Sequence, residues 1–150
     1  MGQLQERVAE IQVSYHPAIS RKPIIQTSFD CFTELIEFFP ADTIALHERF
    51  VVMYLNRRNR VLGIYELSKG GITGTVVDIR LMLSIALKTS ATAIVLCHNH
   101  PSGNLKPSSA DEEITNKVKQ SAALMDITVM DHIIISPERK YYSFADEGML

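Results

Sequence analysis

An α/β layer fold with a mixed sheet is the architecture this chain predicts, and three observations point to it. Short apolar runs rich in β-branched residues alternate with segments whose apolar residues recur at helical spacing. Strand pairs joined by tight polar turns stand towards both ends of that alternation. At 150 residues the chain is expected to form one domain, and a chain of that size buries roughly 68–70% of its unfolded surface without needing staples.

Taken in order, residues 5–14 alternate apolar with polar loosely after Arg7 and predict an edge strand. Ser28 is the expected N-cap of a helix carrying Phe29, Phe32, Leu35, Ile36 and Phe39 on one face and stopping before Pro40. Residues 49–55 are apolar on both faces, as a central strand should be, and 56–59 turn them into a second strand, 60–67. Gly70 and Gly71 break that strand, and 72–77 predict a short further one. Asp78 can cap a helix whose Ile79, Met82, Leu83 and Ala86 recur at helical spacing up to Leu87. A strand at 92–97, a helix at about 109–123, a strand at 128–135, a turn at 137–140 and a last strand at 141–144 complete the chain. The division expected is an N-terminal strand and helix over 1–45 and a core over 46–150.

The chemistry concentrates after the 92–97 strand. His98 and His100 are separated by one residue, and ten residues intervene between His100 and Asp111. Strand alternation puts the two histidines on one face and Cys97 and Asn99 on the other. Pro101 and Gly103 end the strand, and Pro107, Ser108 and Ser109 open a helix with Asp111 in its first turn. The helix dipole favours the ionised carboxylate there by roughly 0.3–1 kcal/mol. Two imidazoles and a carboxylate are three ligands of a tetrahedral Zn²⁺ with one corner left for water, the catalytic rather than the structural pattern. Spacing alone leaves the accompanying general base open among Glu48, Glu66 and other acids.

Composition narrows the class. The chain is 46% hydrophobic and 21% charged with a formal net charge of −2, an ordinary globular balance with no global pull toward nucleic acid or anionic membrane. Cys31 and Cys97 are its two cysteines, which excludes a disulfide framework and a Cys₄ or Cys₂His₂ zinc site. The first residues lack an apolar signal segment and no run approaches a membrane span. A reducing, cytoplasmic location is the expectation.

The run His98-Asn99-His100-Pro101-Ser102-Gly103, followed by Pro107-Ser108 and Asp111, closely resembles the RadC proteins of the JAB/MPN (JAMM) metallopeptidase superfamily. The likeness runs from about Glu48 through Asp131-His132-Ile133-Ile134 and Tyr142-Ser143-Phe144. It implies a three-layer α/β/α JAB/MPN-like (cytidine-deaminase-like) fold. It further implies zinc held by His98, His100 and Asp111, Glu48 as general base, and Ser108 as a stabiliser of the oxyanion. Two departures stand out: the helix-hairpin-helix domain of longer RadC proteins is not in this sequence, and their Pro-Arg-Glu before the central helix is here Asp78-Ile79-Arg80-Leu81, keeping Arg80.

The expected function is therefore a zinc-dependent peptidase or isopeptidase using a zinc-bound water, with an extended peptide or protein segment as substrate. The second reading is a DNA-repair or recombination accessory protein with a structural or vestigial metal site. Only the basic tip Arg57-Arg58-Asn59-Arg60 leans toward nucleic acid, and such a tip is ordinarily a solvated turn. An HNH nuclease draws its residues from separated elements, and a zinc deaminase needs His-x-Glu with a later Pro-Cys-x-x-Cys, so both are excluded. Several residues have plainer readings. Ser109 to Glu112 has the form of a capping box, Glu48 could be a solvated carboxylate, Asn99 and Ser102 are expected to shape the loop, and Cys97 reads as a buried small hydrophobe. His132 reads as a satisfied core histidine rather than a third imidazole ligand, and His16 and His47 carry no pattern.

Overall fold

A computed structural model describes residues 7–17, 22–70 and 76–150. Its centre is a mixed sheet of five strands: β1 (Arg49–Leu55), β2 (Val61–Lys69), β3 (Ala93–Asn99), β4 (Thr128–Ile135) and β5 (Tyr141–Ser143), in the order β2-β1-β3-β4-β5. β3 runs parallel to β4, and the pairs β1/β2, β1/β3 and β4/β5 are antiparallel. The helices are α1 (Ser28–Leu35), extended by a 3₁₀ turn at Ile36–Phe38, α2 (Ile79–Thr89) and α3 (Ser109–Ala123).

Strand alternation divides the core into two layers. Val51, Met53 and Leu55 of β1 and Val95 and Cys97 of β3 pack with Cys31, Leu35, Ile36 and Phe39 from the α1 side. Phe50, Val52 and Tyr54 with Ile94 and Leu96 pack with Met82, Leu83 and Ala86 of α2 and Val118 and Ala122 of α3. Helices on both faces explain why β1 and β3 read as unbroken apolar runs: each face has its own helix layer to meet. Tyr54, buried to 1% exposure, keeps its hydroxyl satisfied by donating to the Met82 carbonyl at 2.9 Å. No helix among the described residues is long and apolar enough to cross a membrane.

Three expectations at element edges are corrected. Residues 7–14 form no strand, and Val8 and Ile11 are 99% and 88% exposed. Residues 5 and 6 of the expected strand lie outside the described residues. Loose alternation is a local signal, whereas a strand needs a partner edge. The α1 cap is Thr27, whose hydroxyl accepts from the Asp30 N–H while Asp30 returns a bond to the Thr27 N–H. Ser28 is instead drawn into a tertiary contact, donating to Asp146 at 2.5 Å and meeting the Tyr141 hydroxyl at 3.0 Å. Of the expected 72–77 strand, 72–75 lie outside the described residues and 76–77 are not in a strand. Asp78 does cap α2, accepting from the Leu81 N–H at 3.0 Å.

Leu96 stands in the middle of β3, between β1 and β4, with 0% exposure. Leu96→Ala is expected to cost about 2–5 kcal/mol. Chemical denaturation should show a lower midpoint with an unchanged slope.

Candidate metal centre

The register of β3 sets the histidines. His98 is the last residue of β3 to pair with β1, opposite Phe50, and the His100 N–H donates to the Ile135 carbonyl of β4 at 2.9 Å. Both imidazoles therefore leave the sheet on the α2/α3 face, and their Nε2 atoms meet at 2.9 Å. The loop that follows is tied down rather than loose. His100 Nδ1 bonds the Asn104 carbonyl at 2.5 Å, Asn104 N–H bonds Ser102 Oγ at 3.3 Å, and Gly103 N–H bonds the His100 carbonyl at 2.9 Å. Gly103 takes φ +85°, a left-handed conformation, and a Cβ there would stand 3.2 Å from the Glu138 carboxylate.

α3 delivers the carboxylate to the same face. Its N-cap is Ser108, and the capping box pairs Ser108 with Asp111, one residue earlier than the Ser109–Glu112 box that spacing suggested. The shift has a physical cause: the Asp111 carboxylate is shared between cap and histidines. Asp111 Oδ2 accepts from the Ser108 N–H at 2.8 Å and lies 3.1 Å from His100 Nε2, while Oδ1 lies 3.2 Å from His98 Nε2. Ser108 Oγ accepts from the Asp111 N–H at 3.1 Å, which leaves its own hydroxyl proton uncommitted by the cap.

Glu48 and Glu66 are separated by a neighbour. Arg49 takes Glu66 at 3.0 and 3.1 Å from one guanidinium nitrogen, whereas Glu48 lines the same cleft as the histidines with Oε1 at 4.0 Å from His98 Nε2. The residue that seats the Glu48 segment is Asn99, between the two histidines and pointing to the opposite face. Its Nδ2 donates to the Ile44 and His47 carbonyls, both at 2.8 Å, and its Oδ1 accepts the Arg49 N–H at 2.7 Å. Asn99 was expected to shape the loop after the histidines; it instead clamps the segment before β1. That role leaves no trace in local spacing, since its partners lie 50–55 residues away. Cys97 is buried on the α1 face, as expected of a small hydrophobe. His132 is fully buried with both ring nitrogens bonded, to His98 Nδ1 at 2.8 Å and Thr115 Oγ1 at 2.7 Å.

Burial works to raise the Asp111 pKa, but the hydrogen bonds and charge of His100 and His98 outweigh it and hold the carboxyl far below its ordinary range. Burial works to lower His100, and is overcome by Asp111, the Asn104 carbonyl and the Glu48 charge, which together hold its imidazole above the ordinary value. Burial, followed by the charge of neighbouring His98, pushes His132 well below it. The donors fit a divalent ion. Ligand edges around tetrahedral zinc with bonds of 2.0–2.1 Å are roughly 3.3 Å, and the edges among His98, His100 and Asp111 are 2.9, 3.1 and 3.2 Å. Glu48, His98 and His100 form a second, wider grouping whose ligand atoms all lie within 4.8 Å of one another. Imidazole nitrogens with carboxylate oxygens suit zinc and neighbouring transition metals. These residues, with Phe50, Val76, Val77, Ser108, Ala110 and Ile114, line a cleft of about 610 Å³.

The chain matches the family described as RadC-like JAB domain over residues 27–149. Among curated relatives it is 52% identical over 103 residues to a UPF0758 protein of Flavobacterium johnsoniae, covering 69% of this chain and 44% of that protein. A UPF0758 protein of Nitrosococcus oceani is 47% identical over 103 residues, covering 69% and 46%, and one of Porphyromonas gingivalis 41% over 103 residues, covering 69% and 45%. The matched stretch thus spans a little under half the length of these relatives.

Two outcomes follow from this geometry. Asn99→Ala strands two carbonyls and an N–H, and is expected to destabilise by about 1–3 kcal/mol; chemical denaturation measures it. The second concerns pH. His100, raised above 6.5, contributes stability that is full below 6.5 and lost as pH rises through its folded value. Asp111, lowered from 3.8, contributes stability present above 3.8 and lost as pH falls through its folded value. Chelator-treated protein should therefore lose stability as pH rises above the ordinary imidazole value of 6.5, a slope absent in His100→Ala. Affinity for an added divalent ion should move the opposite way, rising with pH, because a ligating imidazole must be neutral. Titration calorimetry in buffers of different ionisation enthalpy measures the released proton.

Proposed function

This chain belongs to the RadC-like JAB domain family, and from that premise we propose that it is a zinc-dependent hydrolase of peptide or isopeptide bonds. The observation that carries the reading is the meeting of His98, His100 and Asp111 at 2.9–3.2 Å in one cleft, with Glu48 set back at 4.0 Å. In this reading His98, His100 and Asp111 hold the ion, and Glu48 stays outside its ligand sphere. When bound, zinc supplies Lewis acidity that brings the pKa of water down to about 7 and polarises an amide carbonyl.

The remaining steps belong to side chains. Glu48 takes the proton of the attacking water at its carboxylate and returns it to the leaving nitrogen. The Ser108 hydroxyl, with its oxygen already held by the Asp111 N–H, donates a hydrogen bond to the developing oxyanion and keeps its proton. Phe50, Val76, Val77 and Ile114 give the cleft an apolar wall, which lowers the local dielectric and strengthens these contacts. The substrate class is an extended peptide or isopeptide segment. The nucleic-acid reading is weaker: Arg57, Arg58 and Arg60 are exposed at the hairpin tip, at the far end of β1 from Glu48, about 20 Å away by strand rise. That tip does not adjoin the cleft.

Glu48→Gln is expected to keep the fold and the zinc while peptide or isopeptide hydrolysis drops by roughly 10²–10⁴. Elemental analysis and turnover on an extended-peptide library and isopeptide-linked substrates measure the two halves. Loss of zinc in this variant would make Glu48 a ligand. Zinc-loaded protein that ignores every such substrate, yet cuts DNA in a manner abolished by His100→Ala, would overturn the reading.

A further inference from the structure

Behind His98 runs a buried chain of hydrogen bonds whose direction is fixed at one end. The Thr115 hydroxyl donates to the Asp111 carbonyl one helical turn back, at 2.6 Å. A hydroxyl has a single proton, so toward His132 Nδ1, at 2.7 Å, Thr115 Oγ1 accepts and Nδ1 carries the hydrogen. The His132 ring is fully buried, its nitrogens are bonded only to Thr115 and His98, and no carboxylate touches it. An imidazole buried without a counter-charge is neutral, so its Nε2 is a bare acceptor. His98 Nδ1, 2.8 Å from that Nε2, must then be the donor. In the neutral His98 ring that metal binding requires, the lone pair then falls on Nε2, the atom that faces His100 and Asp111.

Packing holds the two rings of this relay at a fixed tilt of 58° to one another. Phe144 stacks on the His132 ring at 4.7 Å between centroids, 16° from parallel. Phe50 meets the His132 ring edge-on at 5.7 Å and stacks on His98 at 5.9 Å, 7° from parallel. Neither ring can turn over without displacing an aromatic neighbour.

We infer that His132, oriented by Thr115, is a positioning residue that sets the tautomer of His98 and so presents a bare Nε2 to a divalent metal ion. The inference rests on the metal-site reading above, and it adds a function for two buried residues that touch neither metal nor substrate. It also closes a loop: the relay starts at the backbone of Asp111 and ends on His98, so two groups assigned to the ion are coupled through α3 and β4 as well as across the cleft. A metal-bound histidine ordinarily bonds a carboxylate or carbonyl through its second nitrogen; here an imidazole and a hydroxyl take that place.

The test uses Thr115→Val, which keeps shape and loses the hydroxyl, with Thr115→Ser as the rescue and His132→Leu as the direct deletion. Two-bond ¹H–¹⁵N correlation spectra of the metal-free protein read the His98 tautomer. Wild type and Thr115→Ser should carry the proton on Nδ1, and Thr115→Val should shift His98 toward the Nε2-protonated form. Zinc affinity, by competition with a chromophoric chelator, should fall roughly 10–100-fold in Thr115→Val and His132→Leu and recover in Thr115→Ser. An unchanged tautomer and an unchanged affinity in Thr115→Val would overturn the inference even if His132→Leu fails to fold. Wild type that binds no zinc would sink the metal-site reading, while the tautomer spectra would still decide whether the relay sets His98.

Discussion

The pairing of β3 with β1 on one side and β4 on the other governs the rest of the molecule's working end. Both neighbours are hydrogen-bonded to β3 out to His98, and β4 holds the backbone two residues further, to His100. A one-residue slip in either ladder would exchange the two faces of β3. His98 and His100 would then point into the α1 layer and Asn99 into the cleft. The burial of Val95 and Cys97 on one side and Ile94 and Leu96 on the other makes such a slip prohibitive, so hydrophobic packing along the strand determines where polar groups emerge at its end.

From that fixed point the alternate faces serve different ends. Toward α3, the imidazoles meet the Asp111 carboxylate, which also completes the cap of its helix. One carboxylate thus satisfies a helix N-terminus and anchors two histidines, and the N–H groups around it favour the ionised form that metal binding requires. Toward α1, the Asn99 amide holds the chain just before β1 and so sets the position of Glu48. Three consecutive residues therefore organise both the proposed ligand set and the proposed base, the two histidines from one face of the sheet and Asn99 from the other.

Much of this was legible from sequence. The helix at 109–123 and the strand at 128–135 agree with α3 and β4 to the residue, and the central strand at 49–55 with β1, because each is long or sharply punctuated by Pro, Gly or a capping serine. What failed to show were choices between chemically equivalent neighbours. Thr27 and Ser28 are both good caps; Ser28 is removed from the competition by Asp146 and Tyr141, more than 110 residues away. Ser108 and Ser109 are likewise both good caps, and the histidines tip the balance toward the box that uses Asp111. Residues 7–14 carry an alternation that found no partner edge among the described residues.

The sequence by itself determined which side chains share a face, since alternation along a strand and the 3.6-residue turn of a helix are properties of covalent geometry. That is why sequence alone pairs His98 with His100, sets them apart from Asn99, and places Asp111 in a helix's first turn. Tertiary structure decided what spacing left open: which acid stands at the cleft and which ring stands behind His98. Spacing leaves Glu48 and Glu66 equivalent and only the family resemblance points to Glu48; the docking of β1 on β2 gives Glu66 to Arg49. His132 is the satisfied core histidine that the sequence suggests, but its partner His98 lies 34 residues away, across a parallel pairing whose register is set by the whole sheet rather than by any neighbouring residue.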